Sequence, residues 1–575
     1  MTATQDVRAT QSTTSRVVTR TEARGTGGMV TAKHAAVAEA GLRVLRDGGN
    51  AVDAAVAMCF ATGVAEPMMS GLGGGGFMTV RLADGREAVV DYQVRAPLAA
   101  HETMYELTPD FHADAQGFVG VKDDANYSGP RAAAVPGLAS GLAAARDRFG
   151  TRPLAALLEP AIALAEEGVE VEWPLTLSLA VNLKLLQRFP ASAAIFLDEG
   201  RPWAPAAAAP VLLRQPELAA TLRRIAAEGP DGFYRGPTAR AITAEMERAS
   251  GHISEADLAQ YQAKVIEPLT GSYRGDRIVA LPGPASGALQ LETLNILEGW
   301  QLGALGFNSA ETLHLTIEAM RRSHADRLEY LGDPEVRDVP WAVLTGKPYA
   351  AVRRTTIDAR RHTEATPGDL LTIAGAGAAV APAGNHGPEA HTTHLSAVDR
   401  RGNAVAVTQT LTSAWGCGVA VPGTGVLLNN AMTLFDPRPG TANSIAPRKR
   451  PASSMAHAIV VRDGEVVLVA GAPGGRRILD TVTQVLLSVL DHGRGIQDAV
   501  SGPFIDSSAA ETGIDERVDP AVIAELERRG HRFVLRRADF HPGHFARPAG
   551  ITRQPHTGEL RGGADPYAHG VASGF

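Results

Sequence analysis

The composition of the chain changes abruptly before residue 390, and this change limits how the chain can fold. From Leu371 to His391 the sequence fills with Gly, Ala and Pro and loses its periodicity, which is typical of a mobile connection. Before this connection, from about Gly137 to Arg360, apolar residues repeat at helical spacing. After it, short strands predominate. The sequence therefore predicts a mostly helical middle part and a strand-rich final part.

The final part contains two hairpin signals. The runs HLSAVD and AVAVTQT flank a turn from Arg400 to Asn403, and the runs HAIVV and EVVLVA flank Asp463-Gly464. An Asp-Gly pair between alternating strands is a strong short-range signal for a hairpin. Apolar spacing then predicts a helix from about Ile478 to Leu490. Paired strands and covering helices thus alternate in this part.

Near the N-terminus, apolar spacing predicts a helix that stops at Gly48 and Gly49, and a second helix from about Val52 to Thr62. The run Gly73 to Gly76 then opens a strand that ends in MTVRLADG. A glycine-rich phosphate cradle requires the order strand, glycines, helix. Because a strand follows these glycines, nucleotide binding is not favoured.

Charge and composition narrow the class of protein. The 45% apolar and 20% charged residues are typical of a globular protein with a large core. The charges sum to −7 and are interspersed, so no basic stripe indicates a nucleic acid partner. Cys59 and Cys417 are the only cysteines, which excludes a disulfide framework and a cysteine-based metal site.

The sequence also predicts the cellular setting. No charge-free stretch of about 18 apolar residues occurs, and this is the minimum for a membrane-spanning helix. Residues 1–27 are rich in Ser, Thr and Arg and contain no apolar run of the length that a secretory signal needs. We therefore expect a disordered N-terminus over 1–27, no membrane partner and a cytoplasmic location.

Thr392 and Thr393 begin a strand directly after the flexible connection. A threonine made N-terminal by cleavage carries its own general base, because its free amine titrates near about 7.7 to 8.0. A Thr-Thr pair at the start of a strand reflects β-propensity in most proteins. The surrounding sequence must therefore decide whether Thr392 is a nucleophile.

That surrounding segment is TTHLSAVDRRGNAVAVTQTLTSAWGCGVAVPGTGVLLNNAM, which begins at Thr392. It resembles the start of the small subunit of γ-glutamyltranspeptidases, a family of N-terminal-nucleophile hydrolases. The resemblance also covers GGNAVDAAVA (48–57), GLGGGGFM (71–78), NILEGW (295–300), ADRLEYLGDP (325–334), KRPASSM (449–455) and APGGRRI (472–478). Nearly the whole chain from Gly28 onward is therefore included.

The resemblance implies a fold and a processing event. The fold would be α+β, a four-layer αββα sandwich. One proenzyme would be cut between His391 and Thr392 into a large subunit, 28–391, and a small subunit, 392–575. The two subunits would associate as a heterodimer, with further oligomerisation left open.

Carried over residue by residue, the resemblance also assigns the reaction centre. Thr392 would be the nucleophile in both self-cleavage and turnover, and Thr410 would hydrogen-bond the Thr392 hydroxyl. Gly474 and Gly475 would form the oxyanion hole, because glycine lets backbone N–H groups approach the reacting carbonyl. Without this context, a Pro-Gly-Gly sequence after a strand is an ordinary turn.

Substrate recognition keeps only part of the family pattern. Ser453 and Ser454 match the paired serines that bind the α-carboxylate of the substrate in the family. Transpeptidases hold the glutamyl amino group with an Asn, a Gln or Glu, and an Asp, and the matching positions here are Thr412, Ala431 and Leu434. Losing the carboxylate partner of a buried ammonium weakens binding by about 2 to 5 kcal/mol. We therefore do not expect γ-glutamyl recognition of the usual kind.

The arginine that binds the carboxylate in the family would fall near DYQVRAP, where Gln93 occupies its position. Arg95 lies two residues later and would keep the same face if the strand continues. A register change or a surface position for Arg95 remains equally open.

The stretch between Phe435 and Ser453 is shorter than the lid loop of enzymes with a covered glutamyl pocket, which implies an open site. Lidless relatives include acylases that hydrolyse larger amides, with water favoured over an amine as acceptor. They also include pathway enzymes of actinobacterial natural products, such as the propylproline unit of lincomycin-type compounds, which remove an oxalyl group by C–C hydrolysis. Both remain open here, as does an inactive scaffold homologue.

The predicted chemistry acts on a small-molecule substrate and requires no cofactor and no metal, since the amine and the oxyanion turn supply it. His541 and His544 flank a Pro-Gly turn and are interpreted as surface or packing residues, not as ligands.

Overall fold

Two seven-stranded sheets, named sheet I and sheet II, lie face to face, and helices cover the outer face of each. They are seen in a computed structural model that describes residues 18–108, 119–206, 209–339, 341–369, 390–539 and 544–575. The predicted connection before Thr392 lies almost entirely outside these residues. The predicted α+β sandwich of four layers is confirmed.

Sheet I carries Thr392 on a central strand, Ala390–Asp399, which we call the Thr392 strand. In spatial order this antiparallel sheet contains Val571–Gly574, Gly28–Ala32, Ala390–Asp399, Ala404–Ser413, Gly75–Arg81, Glu87–Asp91 and Lys264–Ile266. The first predicted hairpin is confirmed, because the Thr392 strand pairs with Ala404–Ser413.

Sheet II is also antiparallel and contains the second predicted hairpin. In spatial order its strands are Ala23–Gly25, Leu560–Ala564, Ala549–Arg553, Glu465–Gly471, Ala458–Arg462, Asp276–Ala280 and Leu269–Tyr273. Asp463 and Gly464 have φ values of 50° and 84°, which a tight turn of this kind requires.

Apolar side chains from both sheets fill the space between them. The members of this central cluster come from alternate positions of the facing strands: Met29, Val279, Val398, Ala404, Ala406, Ile459, Val461, Val466, Val469, Ile551 and Leu560. All of them are buried, as expected for the inner faces of two stacked sheets.

The outer face of sheet I is covered by helices from the first part of the chain. These helices are Ala35–Arg46, Ala51–Ala65, Leu138–Phe149, Leu154–Glu167, Pro216–Glu228, Asp231–Tyr234, Gly236–Arg248 and Glu255–Gln260. The predicted helix stop is confirmed, since Gly48 has a φ of 81°. Asn50 then caps the second helix through the backbone N–H groups of Val52 and Asp53.

Sheet II is covered by Gly287–Leu297, Leu302–Leu305, Ala310–Tyr330, Trp341–Leu344, Lys347–Thr355, Ile478–Leu490 and Ile496–Ser501. Smaller helices, Trp173–Val181, Leu183–Gln187, Pro190–Phe196 and Pro520–Arg528, pack at the periphery. The helix predicted from about Ile478 to Leu490 is confirmed. None of the helices within the described ranges is long and apolar enough to cross a membrane.

Shorter elements complete the described part of the chain. Short 3₁₀ helices lie at Lys122–Asp124, Pro130–Ala132, Ala431–Leu434 and Gly475–Arg477. Short strands are Val169–Glu170, Leu197–Asp198, Arg201–Pro202, Leu212–Leu213, Ala420–Val421, Val426–Leu427, Ile505–Asp506, Thr512–Asp515 and Phe533–Arg536.

Two sequence predictions about local structure need correction. The middle part is not only helical, because Lys264–Ile266, Leu269–Tyr273 and Asp276–Ala280 supply strands to both sheets. Their turn at Arg274 and Gly275 has positive φ values of 55° and 90°. The N-terminal segment predicted as disordered extends too far, because Ala23–Gly25 pairs with the edge of sheet II.

The glycines from Gly73 to Gly76 pack against neighbouring backbone. An ideal Cβ on Gly74 would lie 2.3 Å from the carbonyl oxygen of Thr410, and one on Gly76 would lie 2.4 Å from that of Thr408. Real Cβ atoms do not approach so closely, so only glycine fits. The run therefore serves close strand packing beside Thr410, which agrees with the rejection of a phosphate cradle.

Candidate active site

Thr392 and Thr410 lie together on adjacent strands of sheet I. The Thr392 hydroxyl donates to Thr410 Oγ1 over 3.3 Å, and Thr410 Oγ1 accepts from the Thr412 backbone N–H over 2.7 Å. Both hydroxyl-bearing side chains are buried. The hairpin thus places the predicted nucleophile beside its predicted partner, and the Thr412 amide holds that partner in place.

The strand ladder is irregular at Thr392. His391 pairs with Thr412 and Thr393 pairs with Gln409, so the register shifts between His391 and Thr393. A β-bulge of this kind leaves one residue outside the regular pairing and bends the strand locally. The peptide bond that the sequence predicts to be cut lies at this bulge.

Thr412 shows strain next to the same bulge. Its φ is 86°, in the left-handed region that a β-branched residue rarely adopts. Residues held in such conformations raise the energy of the fold by about 1 to 3 kcal/mol, and they cluster at functional sites. The Thr412 hydroxyl is also buried without a hydrogen-bond partner among the described residues.

The predicted oxyanion glycines form a strained turn beside the Thr392 strand. Gly474 and Gly475 have φ values of 146° and 61°, and they lead into the Gly475–Arg477 helix, which lies next to the Thr392 strand. A Cβ on Gly474 would lie 2.6 Å from the Ala546 Cα. The Arg547 backbone N–H donates to the Pro473 carbonyl over 3.0 Å, which braces the turn from behind.

Ser453 and Ser454 are fixed by a neighbouring turn and by an arginine. The Ser453 backbone N–H donates to the Pro284 carbonyl over 2.8 Å, and the Ser286 hydroxyl donates to the Ser453 carbonyl over 2.8 Å. Arg327 Nη2 donates to Ser454 Oγ over 3.0 Å. Sequence reasoning missed Arg327, although it lies within the matched motif ADRLEYLGDP, because 127 residues separate it from Ser454.

Arg95 lies beyond the strand on which its predicted direction depended. That strand ends at Asp91, and the backbone of Arg95 pairs instead with Val135. Its side chain is mostly buried, and Nη1 lies 3.6 Å from Glu335 Oε2. Gln93, at the position of the family arginine, is buried and its Nε2 has no partner among the described residues. Entry of Arg95 into the pocket stays a prediction.

The three positions that hold the glutamyl ammonium in the family carry no charge here. Ala431 and Leu434 lie on a buried 3₁₀ helix within an apolar cluster that includes Met432 and Phe435. The acidic residue that follows, Asp436, makes hydrogen bonds of 2.7 to 3.2 Å with Arg438. An ammonium placed near Leu434 therefore meets an apolar wall.

A pair of buried histidines lies between the two sheets, close to Thr392. His394 contacts the Thr408 and Ser396 hydroxyls over 3.1 and 3.0 Å, and His457 contacts those of Thr408 and Thr79 over 2.8 and 2.9 Å. Burial lowers the pKa of His394 to about 3 and that of His457 well below its usual value. Both imidazoles are therefore neutral at physiological pH.

One group in the described part of the chain has metal-ligating side chains within 4.8 Å of one another: His314, Glu318 and His531. The Glu318 carboxylate already accepts from Arg322 over 2.9 Å and contacts His362 over 2.6 Å. The two histidines lie 2.7 Å apart, at hydrogen-bond distance. This geometry is that of a hydrogen-bonded cluster.

The histidines predicted to have no ligand role are only partly visible. His541 lies outside the described residues. His544 Nδ1 lies 2.8 Å from the Arg537 carbonyl oxygen, and its side chain is partly exposed. This contact agrees with a packing role for His544.

With this geometry in place, comparison with known proteins decides the family. The sequence profile described as gamma-glutamyltranspeptidase matches residues 37–575. The chain belongs to the γ-glutamyltranspeptidase family. The family assignment is therefore confirmed, and the chain is an enzyme of this family.

Relatives within the γ-glutamyltranspeptidase family differ in their named activities. The chain is 40% identical over 513 residues to the acylase ACY 1 proenzyme of Pseudomonas sp. (strain SE83), which covers 89% of this chain and 88% of that protein. It is 37% identical over 560 residues to the glutathione hydrolase proenzyme of Escherichia coli (strain K12), with 94% and 91% covered. Both relatives are named as proenzymes.

A solved structure supports the same family fold. The cephalosporin acylase from Bacillus halodurans superimposes with a TM-score of 0.85 at 27% identity, and the match covers 100% of this chain and 99% of that chain. The predicted N-terminal-nucleophile hydrolase fold is therefore confirmed.

Proposed function

We propose that this protein is a self-processing N-terminal-threonine hydrolase, which cleaves an amide through an acyl-enzyme on Thr392. The observation that carries the proposal is the Thr392–Thr410 hydroxyl pair at a bulge in the strand ladder. The relatives named as proenzymes support a cut between His391 and Thr392.

In the proposed reaction, Thr392 Oγ1 attacks the amide carbonyl carbon and its proton passes to the Thr392 α-amine. Backbone N–H groups at Gly474 and Gly475 stabilise the oxyanion of the tetrahedral intermediate. The C–N bond then breaks, and the leaving amine takes the proton from the α-ammonium. Water attacks the resulting ester, which releases the carboxylic acid and restores the threonine hydroxyl.

Water is the proposed acceptor, and an amine is the minor one. The uncharged positions Thr412, Ala431 and Leu434 provide no carboxylate partner for a glutamyl ammonium, so we propose an acyl group other than glutamyl. The 40% identity to a protein named acylase supports this choice.

The proposed products are a large subunit, 28–391, and a small subunit, 392–575, held as a heterodimer. The topology supports this association, because strands from both sides of the cut alternate in the sheets. The Thr392 strand, for example, lies between Gly28–Ala32 and Ala404–Ser413.

A denaturing gel of the purified protein tests the proposal directly. We expect two bands that correspond to the two subunits, and N-terminal sequencing of the smaller one should begin at Thr392. Thr392→Ala should leave one full-length band and lower turnover by on the order of 10⁶-fold. Thr393→Ser is the matched control, since it keeps the hydroxyl that donates to Glu66 over 3.0 Å. A single full-length band from active wild-type protein would contradict the proposal.

A second candidate is hydrolysis of a C–C bond next to an oxalyl carbonyl, with the same nucleophile. The combination of Ser453, Ser454 and an uncharged Leu434 supports it, because a 2-oxo acid has a carboxylate and no ammonium. Release of oxalate from a 2-oxo acid, compared with release of glutamate from a γ-glutamyl anilide and of acid from other anilides, separates the candidates. A third candidate, an inactive scaffold, requires that Thr392→Ala change neither processing nor turnover.

A further inference from the structure

The helix Ala310–Tyr330 brings an arginine to the serine pair. Arg327 lies in its last turn, is only half-exposed, and donates from Nη2 to Ser454 Oγ over 3.0 Å. Other charged side chains of this helix have opposite partners: Arg322 lies 2.9 Å from Glu318, and His324 lies 2.7 Å from Asp480. The recorded contact of Arg327 is instead with a neutral hydroxyl.

A second arginine lies close to Arg327. Arg476 follows Gly475 in the 3₁₀ helix that begins at the predicted oxyanion turn. Burial, and then the positive charge of Arg476, lower the pKa of Arg327 to about 10, so Arg327 stays protonated at neutral pH. Two like charges near each other in a partly buried site repel, and a bound anion relieves that repulsion.

Ser454 connects this positive region to the pocket. Because its oxygen accepts from Arg327, its hydroxyl hydrogen is free to donate elsewhere. No acceptor for that hydrogen occurs among the residues that the structure describes. A hydroxyl polarised by a guanidinium is a stronger donor, and the neighbouring Ser453 backbone is fixed by Pro284 and Ser286. The pair is therefore pre-organised to receive an anion.

Arg95 is less suited to this task. Its guanidinium lies 3.6 Å from the Glu335 carboxylate, which also lies 2.8 Å from Arg450. A substrate carboxylate at Arg95 would compete with an existing carboxylate for the same charge. Arg327 offers a cation whose recorded neighbours are Ser454 and Arg476.

We infer that Arg327, with Arg476, is the specificity-determining cation that makes this enzyme select an acyl group ending in a carboxylate without an adjacent ammonium. Arg327 acts through Ser454 as a positioning residue, and Arg476 adds positive potential beside the oxyanion turn. The substrate class is then the mono-amide of a dicarboxylic acid. This inference rests on the proposed amide hydrolysis at Thr392 and adds the nature of the acyl group.

Two anilides that differ only in charge test it. Glutaryl 4-nitroanilide carries the terminal carboxylate, and 4-carbamoylbutanoyl 4-nitroanilide replaces it with a neutral amide of the same shape. For the processed wild-type enzyme we expect kcat/KM to favour the carboxylate by about 30-fold or more, the lower end for a buried charge pair. Arg327→Gln should remove most of this preference and leave kcat/KM for the neutral substrate within about threefold.

Three comparisons keep the test decisive. Arg476→Ser should lower the preference for the carboxylate by a smaller factor, and it serves if Arg327→Gln does not fold. Arg327→Lys should retain part of the preference, since it keeps the charge. Arg361→Gln removes an exposed arginine that is paired with Asp358, and it should change nothing. Equal losses on both substrates, or a wild-type enzyme without preference, would overturn the inference.

Binding of glutarate separates this inference from the proposed reaction. By calorimetry on the processed wild-type protein, we expect glutarate to bind, glutaramide to bind more weakly, and Arg327→Gln to lose the difference. If glutarate binds in this way but neither anilide is hydrolysed, the amide-hydrolase proposal fails and the anion site stands. If glutarate and glutaramide bind equally, the anion site is wrong whatever the enzyme hydrolyses.

Discussion

The surroundings of Thr392 and the pocket around Leu434 lie in the same fold but keep different amounts of the family pattern. Around Thr392, the matched threonine and glycines are present and held by backbone contacts, such as the 2.7 Å bond from the Thr412 N–H to Thr410. Around Leu434, the matched positions hold apolar or neutral side chains. Reaction chemistry here depends on backbone geometry, whereas recognition depends on single side chains that are replaced without disturbing the sheets.

The largest effect is expected at the turn beside Thr392. Gly474→Ala places a Cβ 2.6 Å from the Ala546 Cα at a φ of 146°, so the turn must move. The loss of an oxyanion donor lowers kcat by about 10² to 10³-fold. Steady-state kinetics measures it. Gly464→Ala, at a φ of 84° with no neighbour within 4 Å, is the matched control and should keep kcat. Equal losses in both variants would remove the turn from the reaction centre.

A smaller loss is expected at Thr410. Thr410→Val removes the oxygen that contacts both Thr392 and the Thr412 N–H, and the loss of such buried hydrogen bonds corresponds to a fall in kcat of about 10- to 100-fold. Thr410→Ser keeps the oxygen and should stay within about threefold of wild type. Stopped assays with any accepted amide are sufficient. If Thr410→Val retained full activity, the hydroxyl pair would have no role in turnover.

A gain is expected in the recognition pocket. Leu434→Asp restores a carboxylate at the position that binds the glutamyl ammonium in the family, so kcat/KM for a γ-glutamyl anilide should rise by about tenfold or more. Leu434→Asn is the control of equal shape without charge. The comparison between the two regions would break if both variants gave the same gain, because recognition would then not depend on charge.

The smallest effect concerns pH and the histidines below Thr392. His394 has a folded-state pKa of about 3, against about 6.5 in the unfolded chain, so only the unfolded state takes up this proton as the pH falls. The resulting stability is complete above about pH 6.5 and is lost down to about pH 3, at about 1.4 kcal/mol per pH unit. Urea unfolding between pH 4 and 7 should show a shallower slope for His394→Gln. An unchanged slope would mean that His394 is already protonated in the fold.

Local signals determined which elements the sequence could predict. The hairpin at Asp463-Gly464 and the helix Ile478–Leu490 follow from turn chemistry and periodicity, and both are found. The strand Asp276–Ala280 was missed, because it is short and its sheet partner Ala458–Arg462 lies far along the chain. Strand pairing over such distances leaves no local pattern.

The candidate site divides in the same way. Thr392 and Thr410 belong to one hairpin, so their proximity follows from the sequence once the strands are placed. Arg327 reaches Ser454 from a helix in another part of the chain, and Arg95 turns towards Glu335 because its strand ends early. Such contacts depend on how the layers pack, which residue patterns do not encode.

The position of the Thr392 strand inside sheet I has a consequence for the life of the enzyme. Its two neighbours, Gly28–Ala32 and Ala404–Ser413, come from opposite sides of the proposed cut, so the sheet is completed only when both parts are present. In the uncut chain, refolding is a first-order process that dilution does not affect. After the cut it becomes second order, and a denatured enzyme at low concentration would lose the ability to reassemble that its precursor had.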